Sequence, residues 1–116
     1  MKLTSLSIAL SLVAIFFSTI TSASSLHYET TTFKVYGNCE MCKTRIEKAL
    51  LKNENIKTAV WDVKTKMLTV SYNPHMISVE EIHQLVADTG NDTEKIKAKD
   101  ATYKNLHGCC QYDRKK

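Results

Sequence analysis

Two cysteines separated by two residues, Cys39 and Cys42, lie between a strand-like and a helix-like segment of the chain. Over residues 30–36, the apolar Phe33 and Val35 alternate with more polar residues, and this period of two predicts a half-buried strand. Downstream, five residues share one stripe of a predicted helix: Cys42, Ile46, Ala49, Leu50 and Asn53. We expect Gly37 to permit the sharp turn between the two elements, because glycine adopts backbone angles that other residues avoid.

The placement of these thiols indicates a metal-binding loop. Cys39 falls in the loop and Cys42 in the first helical turn, so that both sulfurs can converge on one soft cation. The partial positive charge at the helix N-terminus favours thiolate over thiol. We therefore predict Cys39 and Cys42 as metal ligands.

The N-terminal region is typical of a secretory signal peptide. Lys2 is followed by an apolar run over residues 6–20 and then by small residues up to Ala23. The run is shorter than the ~20 residues of a membrane-spanning helix. We predict a signal peptide over residues 1–23, and hence an exported, periplasmic protein without a stable membrane anchor after cleavage.

Charge and composition exclude several classes of function. The formal net charge is only +4, and basic residues are spread along the chain without a dense block before Arg114. Nucleic-acid binding needs a concentrated basic patch, so we do not expect it. Paired carboxylates, a nucleophile with a spaced base and a phosphate loop are also lacking in the sequence, so we do not expect an enzyme.

The rest of the chain predicts a compact α+β domain. The remaining predicted elements are strands over 56–63 and 68–72, a helix after Ser78, and a short strand over 92–98. Ser78 and Glu81 form a capping box, and Gly90 stands where a helix C-terminal glycine belongs. The order over residues 28–98 is βαββαβ. It predicts a ferredoxin-like fold with two helices on one face of a four-stranded antiparallel sheet.

Single residues outside the motif have ordinary structural interpretations. We expect Trp61 and Tyr72 to be core residues of the sheet, and Met41 to pack rather than bind metal. His83 falls off the apolar stripe of the second helix, which predicts a surface position.

The tail, residues 99–116, carries the other two cysteines, Cys109 and Cys110, with His107 nearby. Close cysteine pairs restrict little chain entropy as disulfides, so their spacing favours metal or redox chemistry over scaffolding. The tail could complete the site of the motif, hold a second ion, or form a disulfide. Ordering each residue costs roughly 1–2 kcal/mol of backbone entropy. We therefore expect the tail to need a covalent or metal link to become ordered.

The motif and the helix that follows it resemble the heavy-metal-associated (HMA) domain. The resemblance rests on Gly37-Asn38-Cys39-Glu40-Met41-Cys42 and Arg45-Ile46-Glu47-Lys48-Ala49-Leu50, and it extends over about residues 30–98. It is greatest with exported bacterial members that end in a cysteine pair. The resemblance implies Cu(I) binding for handover, with a metal-transporting membrane protein or another thiol-bearing carrier as partner. The family's usual Gly-Met-Thr-Cys is here Gly37-Asn38-Cys39, one residue shorter and without the methionine.

Alternative metals and a redox role stay open at this point. Soft thiolates select Cu(I), with Hg(II) and Zn(II) as competitors. Zn(II) prefers four ligands, of which the motif supplies two, although Glu40 could add an oxygen. C-x-x-C also serves thiol–disulfide exchange, but the βαββ order leaves no room for a thioredoxin-like fold. Binding of Cu(I) is the favoured interpretation.

Overall fold

A computed structural model describes residues 26–114 of the chain. Its elements are β1 (Glu29–Lys34), α1 (Glu40–Leu51), β2 (Ile56–Trp61), β3 (Met67–Tyr72), α2 (Val79–Asp88), α3 (Asp100–Lys104) and a 3₁₀ turn (Gly108–Cys110). The predicted signal peptide over residues 1–23 lies outside the described residues. Within residues 26–114, every helix is too short or too polar to cross a membrane.

The sheet is antiparallel with strand order β1-β3-β2. Phe33 of β1 pairs with Leu68, and Ala59 of β2 pairs with Val70. The alternation of each strand turns its apolar residues to one face, where α1 and α2 cover them. The buried helix residues that share this core with the strands include Ile46, Leu50, Ile82 and Val86. The predicted ferredoxin-like α+β fold is confirmed, and Trp61 and Tyr72 are buried as expected.

The fourth strand, expected over residues 92–98, is reduced to a single bridge between Val35 and Thr93 beside β1. The cause is a tight turn that begins at Thr93. Its hydroxyl accepts hydrogen bonds from the backbone N–H groups of Lys95 and Ile96, and its own N–H donates to the Ile96 carbonyl. Glu94 still donates its N–H to the Lys34 carbonyl of β1 at 3.1 Å, and the turn then ends the pairing with β1.

Helix α2 begins as the sequence predicts. The Ser78 hydroxyl accepts from the Glu81 N–H, and the Glu81 carboxylate accepts from the Ser78 N–H. Gly90 follows the helix with φ of +99°. The surface position expected for His83 is wrong: it is buried, stacked on Phe33 with a centroid distance of 3.7 Å. The His83 imidazole is hydrogen-bonded through Nδ1 to the Thr93 hydroxyl, so its ring can pack in the core as a flat, largely apolar group.

Gly37 is required for a different reason from the one expected. A Cβ atom at this position would lie 2.9 Å from Cη2 of the Trp61 side chain. The Trp61 indole lies beneath the loop and donates from Nε1 to the Val35 carbonyl at 3.0 Å. The glycine therefore provides space for the indole, and the motif loop rests directly on the core.

The tail folds back onto the domain. The Tyr112 hydroxyl donates to the Gly90 carbonyl at 3.0 Å and accepts from the Asp92 N–H at 2.7 Å. The Arg114 guanidinium binds both carboxylate oxygens of Asp92, at 2.9 and 2.7 Å. These polar contacts fix the tail although all four cysteines are free thiols. An aromatic residue and an ion pair therefore supply an anchor for the tail that the sequence analysis did not predict.

Candidate metal centre

Helix α1 positions the two cysteines of the motif. Cys39 is the N-cap residue with extended backbone angles (φ −146°, ψ 176°), and Cys42 lies in the first turn. Residues three apart on a helix lie on the same side, so both thiols face the tail. The two Sγ atoms are 3.9 Å apart. Cys42 is fully buried, whereas Cys39 remains partly accessible to solvent.

Cys110 of the tail completes a three-sulfur group with these residues. It is fully buried, and the Sγ atoms of Cys39, Cys42 and Cys110 all lie within 4.8 Å of one another. We call these three residues the inner cluster. Around one trigonal ion with metal–thiolate bonds of about 2.3 Å, as for zinc, sulfurs lie about 4 Å apart. The inner cluster therefore fits a three-coordinate soft ion after only a small contraction.

The thiols of the motif differ in acidity. Interaction with the backbone N–H of Cys42 lowers the pKa of the Cys39 thiol to about 7, against the opposing effect of burial, with a smaller contribution from the N–H of Met41. Burial raises the pKa of the Cys42 thiol, and the neighbouring Cys110 raises it further. Cys39 is therefore the first thiolate available to an incoming ion.

The basic residues that follow the motif are engaged elsewhere. The Lys43 ammonium binds the Glu47 carboxylate at 2.7 Å and the Trp61 carbonyl at 3.0 Å. The Arg45 guanidinium donates to the Asn91 side chain at 2.8 Å. Both charges are therefore engaged by other partners and not by the thiols of the motif.

The other predicted accessory residues lie outside the inner cluster. Cys109 is exposed, with its Sγ 3.9 Å from Cys110 Sγ and 3.9 Å from Met41 Sδ. His107 lines a groove along α1 together with Met41. Glu40, considered as an oxygen donor, is exposed and does not belong to the three-sulfur group. The structure therefore brings only Cys110 of the tail to the motif thiols.

Met41 is the sulfur residue that sequence reasoning misjudged. We expected it to pack, yet its side chain is 48% exposed and its Sδ contacts Cys109. Its position at the second residue of α1, between the two cysteines, placed it on the outer side of the helix. The sequence carried a signal for this, since Met41 is absent from the buried stripe that starts at Cys42.

Residues 32–92 match the heavy-metal-associated domain family, which is more than half of the chain. The chain belongs to this family. The match begins within β1, includes the motif and α2, and ends before the tail that supplies Cys110. The third sulfur of this HMA domain is therefore added from outside the family's own boundaries.

Two curated relatives are copper proteins by name. The chain is 33% identical over 70 residues to a copper-exporting P-type ATPase of Staphylococcus saprophyticus, covering 60% of this chain and 9% of the ATPase. It is 28% identical over 57 residues to the copper chaperone CopZ of Staphylococcus haemolyticus, covering 49% of this chain and 84% of CopZ. The HMA domain thus corresponds to a small part of the ATPase and to most of the chaperone.

A solved structure supports the same fold. It is the N-terminal domain of a potential copper-translocating P-type ATPase from Bacillus subtilis in the Cu(I)-loaded state. Its TM-score is 0.55 at 32% sequence identity, and the match covers 58% of this chain and 85% of that domain. The shared part is the ferredoxin-like domain, and the remainder of this chain lies outside the comparison.

Proposed function

We propose that this HMA domain binds one Cu(I) as cargo through the thiolates of Cys39, Cys42 and Cys110. The observation that carries the proposal is the convergence of their three Sγ atoms within 4.8 Å. Three converging sulfurs suit a soft monovalent ion, since thiolates select Cu(I). The partly accessible Cys39, with its pKa lowered to about 7, offers the first point of attachment.

The donor set favours copper over its competitors. Zn(II) in proteins prefers four tetrahedral ligands, and the inner cluster provides three. Hg(II) also favours thiolates, so sulfur chemistry alone does not separate it from Cu(I). The names of the two curated relatives, a copper-exporting ATPase and a copper chaperone, support copper.

A third internal thiolate changes what the protein does with the ion. With only Cys39 and Cys42, the ion would keep an open coordination position for a partner's thiol. Cys110 occupies that position from within the same chain. We infer that the protein holds Cu(I) more tightly than a two-cysteine loop and releases it when a partner's thiol displaces Cys110.

Location and partners follow from the sequence and the relatives. We propose a periplasmic location, which the signal peptide predicted over residues 1–23 supports. A metal-transporting membrane protein or another thiol-bearing carrier is the proposed partner, supported by the copper-exporting ATPase among the relatives. Fusion of residues 1–23 to a reporter, followed by fractionation, tests the location: retention of the reporter in the cytoplasm contradicts it.

Competition for Cu(I) with a chromogenic chelator under anaerobic conditions tests the site. The variant Cys39→Ser/Cys42→Ser should lose high-affinity binding. Cys110→Ser should weaken binding by about tenfold or more, equal to about 1.4 kcal/mol. X-ray absorption should then report two sulfur ligands instead of three. Unchanged affinity in the double variant would contradict the proposed function, and an unchanged sulfur count in Cys110→Ser would remove Cys110 from it.

A further inference from the structure

Two more sulfur atoms continue outward from the inner cluster. Cys109 Sγ lies 3.9 Å from Cys110 Sγ on one side and 3.9 Å from Met41 Sδ on the other. We call Cys109 and Met41 the outer pair. Five sulfurs therefore form a continuous path from the buried Cys42 to the exposed surface of α1.

The outer pair makes no evident contribution to the core. Cys109 is exposed and Met41 is 48% exposed, and neither belongs to the buried cluster of the domain. A methionine at the surface of a helix gains little from hydrophobic burial. Its thioether nevertheless faces a thiol, and both groups are soft donors.

The backbone of the tail holds Cys109 in this position. The 3₁₀ turn is closed by the Cys110 N–H, which donates to the His107 carbonyl at 2.7 Å. The Cys109 carbonyl accepts from Asn38 Nδ2 at 3.4 Å and lies 3.6 Å from Cys39 Sγ. The turn is therefore fixed against the motif loop, and burial of Cys110 directs its neighbour Cys109 outward.

We propose that the outer pair is a second Cu(I) site, in which Cys109 Sγ and Met41 Sδ bind the ion and the Cys110 thiolate bridges it to the inner cluster. The proposal rests on the function proposed above, because both sites take the same ion. The outer site has a thioether in place of one thiolate and shares Cys110 with the inner cluster, so it binds Cu(I) more weakly and fills second. The separations of Cys109 Sγ from Met41 Sδ and from Cys110 Sγ, both 3.9 Å, match the roughly 4 Å between neighbouring sulfurs of one trigonal ion.

Exposure gives the outer pair a role in transfer. Cys42 and Cys110 are fully buried, so an ion reaches the inner cluster from the side of Cys39 and the outer pair. An ion at the outer pair moves inward by exchange of ligands around Cys110. Copper remains Cu(I) throughout, and each thiol that becomes a ligand releases its proton to solvent.

Anaerobic titration of the fully reduced protein with Cu(I), against a competing chelator, tests the second site. The wild type should bind two Cu(I) per chain in two steps, the second weaker by about tenfold or more. Loading of the second equivalent should introduce a Cu–Cu contribution in X-ray absorption. The variants Cys109→Ser and Met41→Leu should each lose the second step and the Cu–Cu contribution while keeping the first step. Met76→Leu is the matched control, because Met76 is also exposed (62%) but lies on the loop before α2.

The outcomes separate this inference from the proposed function. A single Cu(I) per wild-type chain, or a second step that persists in both Cys109→Ser and Met41→Leu, overturns the outer site and leaves the inner cluster standing. Retention of the tight first step in Cys39→Ser/Cys42→Ser overturns the proposed function itself. Sedimentation during the titration should show a monomer; a second copper that binds only in a dimer would contradict the outer site.

Discussion

The motif loop, residues 37–42, and the tail, residues 99–114, bring sulfur to the same cluster but are held in different ways. The loop rests on the core: Gly37 lies against the Trp61 indole, and Cys42 is fully buried at the start of α1. The tail is held by the polar contacts of Tyr112 and Arg114 together with the burial of Tyr112 and Cys110. A position fixed by core packing alone is lost only with the fold, whereas a position that also depends on a few polar contacts can be weakened separately.

This difference bears on how the protein could release its cargo. Cys39 and Cys42 keep their geometry as long as α1 is folded. The position of Cys110 depends in addition on the anchor of the tail to Asp92 and Gly90. If Cys110 is the third ligand, as proposed, it is the one that a partner can displace by detaching the tail.

Removal of the tail, residues 99–116, should have the largest effect. It leaves the Asp92 carboxylate, 9% exposed in its side chain, without the Arg114 guanidinium. The burial of Tyr112 and Cys110 is lost as well, and full burial of one large apolar side chain contributes about 1.5–3 kcal/mol. We expect the free energy of unfolding, measured in urea, to fall by at least that amount, and Cu(I) affinity to fall as in Cys110→Ser.

The point variant Arg114→Ala sharpens this test because it keeps Cys110 in the chain. If the anchor positions the third thiolate, Arg114→Ala should weaken Cu(I) binding as well as folding. Full Cu(I) affinity in this variant would show that Cys110 reaches the motif without the anchor, and the contrast between loop and tail would fail.

The loop is tested at Gly37. The variant Gly37→Ala places a Cβ 2.9 Å from the Trp61 ring, and overpacking of a well-packed core costs about 1–3 kcal/mol. Gly108→Ala is the matched control in the tail, because a Cβ there meets nothing within 4 Å. Urea unfolding should show a clear loss for Gly37→Ala and almost none for Gly108→Ala. Equal effects would mean that the loop is no more tightly packed than the tail.

Acid should release the tail before it disturbs the loop. Burial alone would raise the pKa of Asp92, but hydrogen bonds from Arg114 and from the Ala98 N–H outweigh it and hold that pKa below its usual value. A lowered carboxyl pKa stabilises the fold above the unfolded value of about 3.9, and the contribution is lost as the pH falls through the folded pKa. The difference in unfolding free energy between wild type and Arg114→Ala should therefore shrink below about pH 4. A constant difference from pH 7 to pH 2 would contradict this anchor.

The same contrast explains what the sequence could predict. Periodicity and capping identified β1, α1 and the start of α2, because each depends on neighbouring residues such as Ser78 and Glu81. For the same reason, the C-x-x-C spacing predicted that the thiols of Cys39 and Cys42 lie together, as they do at 3.9 Å. The docking of the tail depends on Arg114 meeting Asp92, 22 residues earlier. Such long-range pairs leave no periodic signal, so Cys110 could be suggested as a ligand but not distinguished from Cys109.

The shortening of the fourth strand could not be predicted from the local sequence pattern either. Residues 92–98 alternate weakly, and the competing preference of the Thr93 hydroxyl for nearby N–H groups decided the outcome. His83 was misplaced because its burial depends on Phe33 from another element. In both cases a side-chain contact decided the structure, and the alternation of polar and apolar residues along the chain did not.

The smallest effect expected concerns the reactivity of Cys39. Its lowered pKa arises first from the backbone N–H of Cys42 and only last from Cys110, so it belongs to the loop. In the Cys109→Ser background, which removes the exposed tail thiol, alkylation of the apoprotein by iodoacetamide should rise with pH through a midpoint of about 7 and level off above about 8. Cys42, with its raised pKa and complete burial, should stay unmodified while the protein is folded.

Removal of residues 99–116 should leave the midpoint for Cys39 almost unchanged, although it removes the proposed third ligand, Cys110. Mass spectrometry of the modified peptides measures both cysteines at once. A midpoint that moves toward the ordinary thiol value of about 8.5 on tail removal would show that the tail, and not the start of α1, sets the acidity of Cys39.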